Sequence, residues 1–256
     1  MASTLGLGLA SSSADHKTCG ENFAMKFKLY HCPGTRSARV KWLLHELIGD
    51  AFEVEIVPLL EAVQYTPDFL SKNPNHGVPV LEITAQDGNS MHMIESGAMI
   101  ALLADSFPEK CLAPCPDHLS LQRADYLQML HFGASWMDMV LWQIRVHEHI
   151  LPSSDRDPLT VRRYRRKFAN EIEPQLHARL ATTRFICGDT FSAADCVIGQ
   201  NVRWARAYHL CAHDVFTRYL SRLSERPAYA QAFSDMTRTA GPEIPEDSPA
   251  VALFTG

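Results

Sequence analysis

Apolar and polar side chains alternate over Met25–Tyr30, with Met25, Phe27 and Leu29 on one side and Lys26, Lys28 and Tyr30 on the other. That period predicts a short strand with one apolar face. Cys32-Pro33-Gly34-Thr35 breaks it, and from Ser37 the period changes. Val40, Leu43, Leu44 and Leu47 recur at i, i+3, i+4 and i+7, the stripe of a helix that Gly49-Asp50 closes. Phe52, Val54 and Ile56 then alternate with Glu53 and Glu55, a second strand. Strand, helix and strand in so short a span predict a parallel pair joined by a right-handed crossover.

A second unit follows. Tyr65–Lys72 is a short helix with Thr66-Pro67 at its start, and Val78–Ile83 is a strand. Asp87-Gly88 signals a hairpin, Met91–Ile94 the returning strand, and Gly97–Asp105 a helix. Pro108, Pro114 and Pro116 punctuate a linker over 106–116. Beyond it alternation stops. Leu119–His149 reads as one long helix with Leu127, Leu130, Ala134 and Leu141 on one face. Leu159–Leu180 reads as a second, interrupted at Pro174, with Ser192–Leu210 and Phe216–Leu223 as further helices. The predicted organisation is a flexible or disordered extension (1–24), an α/β domain (25–105), the linker, an all-α domain (117–236) and a flexible tail (237–256).

Composition narrows the function classes. Among 256 residues, 24 Lys and Arg face 29 Asp and Glu, a formal charge of −5, which argues against nucleic acid as a partner. No run reaches the roughly 18 apolar residues of a membrane span, so no membrane partner is expected. The seven cysteines are odd in number and contain no CxxC pair, which disfavours a disulfide framework. His147-Glu148-His149 is the densest histidine group, but residues two apart on a helix diverge, so no metal site is expected. The first residues lack a basic start and an apolar core, so no secretory signal is predicted; the first 14 carry no acidic side chain, which leaves organelle targeting open, but no Arg either.

Three segments carry a resemblance. They are Asn73-Pro74-Asn75-His76-Gly77-Val78-Pro79-Val80-Leu81, Ile94-Glu95-Ser96-Gly97-Ala98-Met99-Ile100 and Gly188-Asp189-Thr190-Phe191-Ser192-Ala193-Ala194-Asp195. In this order and spacing they resemble the N-P-x-x-x-V-P-x-L, E-S-x-A-I and G-x-x-x-S-x-A-D segments of the cytosolic glutathione transferase family. The resemblance implies a thioredoxin-like α/β domain followed by an all-α domain, with glutathione as co-substrate. It implies a cis Val78–Pro79 bond that leaves Val78 free to pair with the cysteinyl unit of glutathione. Ser96 and Glu95, at a helix start, would meet the γ-glutamyl end. Ser192 and Asp195 form a capping box, a structural feature for which loss of the Asp195 carboxylate would cost about 1 kcal/mol, or somewhat more if it is buried.

The family chemistry needs a donor that favours a thiolate over a thiol of pKa about 8.5. The resemblance puts that donor in the loop after the first strand. Thr35 or Ser37 fits a hydroxyl donor of the theta kind. Cys32-Pro33 followed by Arg39 fits the omega kind, whose cysteine forms a mixed disulfide; a cysteine ahead of a helix start should have a lowered pKa. Tyr30 falls inside the strand. The Lys or Gln that usually precedes Val-Pro is here Gly77, with His76, Lys72 or His45 as substitutes at the glycine carboxylate. An acceptor pocket between the domains is expected to use Trp136, Met137 and Trp142. The resemblance also implies a cytoplasmic homodimer acting on a small electrophile. Thiol–disulfide chemistry through Cys32 and a non-catalytic binding module are the alternatives. The run Arg162–Lys167 reads as a solvated face.

Overall fold

A computed structural model of the protein describes residues 25–236; the extension and tail expected at 1–24 and 237–256 lie outside the described residues. Strands β1 (Lys26–His31), β2 (Glu53–Ile56), β3 (Val80–Thr84) and β4 (Ser90–Met93) form one sheet in the order β2-β1-β3-β4. β1 and β2 are parallel, while β3 runs antiparallel to both β1 and β4. Gly88, at φ 84°, makes the turn between β3 and β4. Contrary to the alternation, β2 buries none of its four residues: it is an outer strand, with Val54 and Ile56 open to solvent.

Helix α1 (Ser37–Ile48) shows what the stripe left out. Val40, Leu43, Leu44 and Leu47 are buried as expected, but so are Arg39, Lys41 and Trp42. One face of α1 lies on the sheet and the other packs on helices of the second domain, so the helix is buried all round from Ser37 to Leu44. Trp42 meets Tyr229 edge-on at 5.0 Å and Phe191 at 5.5 Å. Helix α2 (Pro67–Lys72) is capped by the Thr66 hydroxyl, and α3 (Ser96–Ser106) follows β4 directly.

The second domain begins where the linker is pinned by a 2.7 Å bond from the Ala193 N–H to the Leu112 carbonyl. The predicted long helix is α4 (Leu121–His131) and α5 (Asp138–Arg145), joined and extended by wider π turns at Phe132–Met137 and Val146–Ile150. Pro174 does not interrupt the next helix. It sits in the first turn of α7 (Glu173–Leu180), after α6 (Pro158–Lys167) and a π turn at Phe168–Ile172 that shifts the hydrogen-bond register ahead of it. Then come α8 (Ala193–Ala207), α9 (Asp214–Ser224) and a short α10 (Pro227–Ala232) that the periodicity missed. α8 approaches α1 and α9 so closely that a Cβ on Gly199 would stand 2.5 Å from Leu223 Cδ1. The capping box forms, and Asp195 does more than cap. Fully buried, its carboxylate accepts from the Ser192 N–H at 2.9 Å, the Ile186 N–H at 2.9 Å and the Tyr219 hydroxyl at 2.8 Å.

Candidate active site

Register brings three segments to one end of the sheet. Tyr30 faces Val80 and Leu81 faces Met93. Continued past the strands, those pairings carry Cys32, Val78 and Ser96 to the same edge, where α1 and α3 also begin. The Val78–Pro79 bond is cis. Among the described residues, the Val78 N–H and C=O make no hydrogen bond. The approach to Val78 is built by buried Asn73, whose side-chain amide donates to the Gly77 carbonyl at 2.7 Å while its Oδ1 accepts from the Asn75 N–H at 2.9 Å. Glu95 is exposed and held at φ 72°, a left-handed conformation that a non-glycine residue rarely adopts, and caps nothing with its side chain. Ser96 starts α3, and its hydroxyl lies 3.5 Å from Arg39 Nη1.

The loop between β1 and α1 is a web of short bonds. Thr35 Oγ1 donates to the Cys32 carbonyl at 2.8 Å and lies 2.8 Å from Ser37 Oγ. Ser37 Oγ accepts from the Cys32 N–H at 3.1 Å and lies 2.6 Å from His31 Nδ1. Ser37, the other candidate hydroxyl, is fully buried, with its oxygen turned inward against His31 and the Cys32 backbone. Thr35 is the loop hydroxyl with access to solvent. The lowered thiol pKa expected for Cys32 does not hold. Burial pushes its thiol above the ordinary value, and the Leu59 N–H and the Arg145 guanidinium only partly oppose this.

The acceptor residues separate. Trp142 is half-buried beside the loop, with the Arg36 guanidinium 5.1 Å from its ring and 5.2 Å from that of Trp204. Met137 is fully buried core, because it falls on the inward side of the π turn. Trp136 faces Lys167 of α6, 4.5 Å away, and not the loop. The substitutes for the missing Lys or Gln scatter as well. His76 stacks on Tyr65 at 4.7 Å, and Lys72 is tied to Asp68 at 2.6 Å. His45 lines a separate groove of about 610 Å³ with Phe52 and Ala230.

Sequence reasoning missed the group that joins the domains behind this site. Arg39, fully buried, grips Asp138 through Nη2–Oδ1 at 2.9 Å and Nη1–Oδ2 at 3.0 Å, and also donates to Gln200 and to Asn201 at 2.6 Å. Arg36 adds a 2.7 Å bond to Asp138. Burial works against the Asp138 carboxylate, but Arg39 and then Arg36 outweigh it and hold its pKa below the ordinary carboxylate value. A charge beside the apolar stripe of α1 was the available signal, but its partners lie about 100 and 160 residues on.

Two family models match. Residues 25–104 fit the N-terminal domain of glutathione S-transferases and residues 160–252 the C-terminal domain. Over 213 residues the chain is 26% identical to the disulfide-bond oxidoreductase YfcG of Escherichia coli K12, covering 80% of this chain and 93% of that protein. It is also 26% identical to the glutathione S-transferase GstA of Escherichia coli O157:H7, covering 81% and 97%. A sphingomonad glutathione S-transferase, solved with glutathione, superposes with a TM-score of 0.67 at 26% identity over 81% of this chain and 97% of that one.

Proposed function

Because the chain belongs to the glutathione S-transferase family, we propose that it binds glutathione at the β1–α1 edge and transfers its sulfur to a small electrophile. The observation that carries this reading is the unpaired main chain of Val78 facing the Thr35 loop. An extended peptide can pair with such a ridge. Ser96, at the start of α3, offers a hydroxyl and a helix N-terminus to a carboxylate, and exposed Glu95 is suited to an ammonium. Thr35 is the thiolate donor in this reading, with Arg36 and Trp142 beside the electrophile. The His76 ring, exposed ahead of Val78, is a further contact.

Thr35→Ala should lower kcat for conjugation of an aromatic halide by about 100-fold, the effect of removing one donor from a developing or resting anion. Cys32→Ser should leave conjugation in place. Absence of glutathione binding by calorimetry would overturn the proposal. A second reading, disulfide reduction through Cys32, is favoured by the position of that thiol in the loop and by the activity named for the YfcG relative. The raised thiol pKa weighs against it. Reduction of a mixed disulfide that vanishes in Cys32→Ser would select it. The same family reading includes a homodimer: Met91 on β4, Leu102 on α3, and Leu119 and Leu121 at the start of α4 expose apolar side chains, Leu119 to 94%. Sedimentation of a monomer at micromolar concentration would refute that part.

A further inference from the structure

Behind Thr35 a row of polar side chains runs unbroken into the protein. Thr35 Oγ1 lies 2.8 Å from Ser37 Oγ, Ser37 Oγ 2.6 Å from His31 Nδ1, and His31 Nε2 3.1 Å from Asp235 Oδ2. Ser37 and His31 are fully buried, whereas Asp235, just after α10, reaches solvent. Lys41 Nζ sits 2.6 Å from the same Asp235 oxygen. The carboxylate dictates the tautomer: Nε2 carries the hydrogen and donates to Asp235, so Nδ1 is an acceptor and draws the Ser37 proton. Both hydroxyls also lie within reach of the Cys32 carbonyl, Thr35 Oγ1 at 2.8 Å and Ser37 Oγ at 3.0 Å, so the row toward Asp235 is complete once Thr35 turns its hydrogen from that carbonyl to Ser37 Oγ.

We propose that Thr35, Ser37, His31 and Asp235 form a relay that removes the thiol proton of bound glutathione. The proposal rests on the glutathione reading above. The S–H bond breaks as its proton passes to Thr35 Oγ1, and the sulfur keeps the electron pair. Thr35 hands its own proton to Ser37 Oγ, and Ser37 hands its own to His31 Nδ1. The resulting imidazolium releases its Nε2 proton to water by way of Asp235 Oδ2, on a side chain that is partly exposed, with Lys41 left to balance the charge. One proton has left, and the three hydrogen bonds now run from His31 Nδ1–H through both hydroxyls to the thiolate. This is the logic of a serine–histidine–carboxylate triad, lengthened by one hydroxyl and aimed at a thiol. Desolvation holds the free imidazole down to about 4, so His31 is neutral before glutathione arrives. Thr35 touches the substrate; Ser37, His31 and Asp235 are positioning residues that act through it.

The test compares wild type, Ser37→Ala and Asp235→Asn. The pKa of bound glutathione is read from the ultraviolet absorbance of its thiolate, and binding of S-methylglutathione, which has no thiol proton, is measured alongside. In both variants the thiol pKa should rise, by about one unit for Ser37→Ala, the equivalent of one hydrogen bond, with S-methylglutathione affinity unchanged. Asp235→Asn keeps side-chain volume at a partly exposed position, so the test stands even where Ser37→Ala does not fold. An unchanged thiol pKa in the variants overturns the relay, and so does a parallel loss of S-methylglutathione affinity, which would mark a scaffold role only. A wild type that binds neither ligand overturns the function proposed above and the relay with it.

Discussion

Replacing Arg39 by Met tests whether the buried ion pair with Asp138 is what locks the two domains. Met keeps most of the side-chain volume, so the cavity contribution is small. What changes is electrostatic: Asp138 keeps only Arg36, itself partly exposed, and the Gln200 and Asn201 oxygens lose a donor. Breaking a buried pair by removing one partner costs about 3–5 kcal/mol, and the remaining Arg36 contact places this case near 3–4. For a chain of this size that is a Tm lower by about 6–16 °C. The double variant Arg39→Met/Asp138→Leu should recover most of the loss, because no charge is then buried alone. Acid supplies an internal check. The Asp138 carboxyl has a folded pKa below its unfolded value of about 3.9, so its contribution is present above that pH and fades as pH falls through the folded pKa. The gap in unfolding free energy between wild type and Arg39→Met should therefore narrow below about pH 4. Urea titrations from neutral to acid pH measure both effects. A single variant within about 1 kcal/mol of wild type, or a double variant as unstable as the single, would refute the reasoning.

Two further perturbations follow from buried polar groups. Asp195→Ala should cost about 3 kcal/mol, well above the cap value expected from sequence, because the Ile186 N–H, the Ser192 N–H and the Tyr219 hydroxyl are all left unpaired in the core; a thermal melt within the range of an ordinary capping loss would contradict this. His31, buried and held down to about 4, binds its proton less readily folded than unfolded, so stability should fall by up to about 3 kcal/mol as pH drops from about 6.5 to about 4. Denaturant titrations of wild type and His31→Phe across that window check it, since the variant should lose the slope.

Much of the molecule was legible in local pattern. The alternation at Met25–Tyr30, the stripe on α1, the Asp87-Gly88 turn and the Ser192–Asp195 box describe neighbours in sequence, and each element formed within a few residues of its expected place. The Val78-Pro79 and Glu95-Ser96 segments were legible through family resemblance, and the sheet register then carries them to one edge. Local pattern misjudged whatever depends on what packs against it. Val54 and Ile56 alternate like core residues, yet their strand is outermost. Met137 and Trp136 are adjacent in sequence, yet a π turn sends one into the core and the other to Lys167. Ser37 and Thr35 are chemically alike in the sequence. Only folding buries the first against His31 and leaves the second open, because Asp235, about 200 residues away, arrives on the far side of the histidine. Hydrophobic period and turn chemistry act over a few residues and are written in order along the chain. Pairings such as Arg39 with Asp138 or His31 with Asp235 exist only once the domains close on each other, and no local rule encodes them.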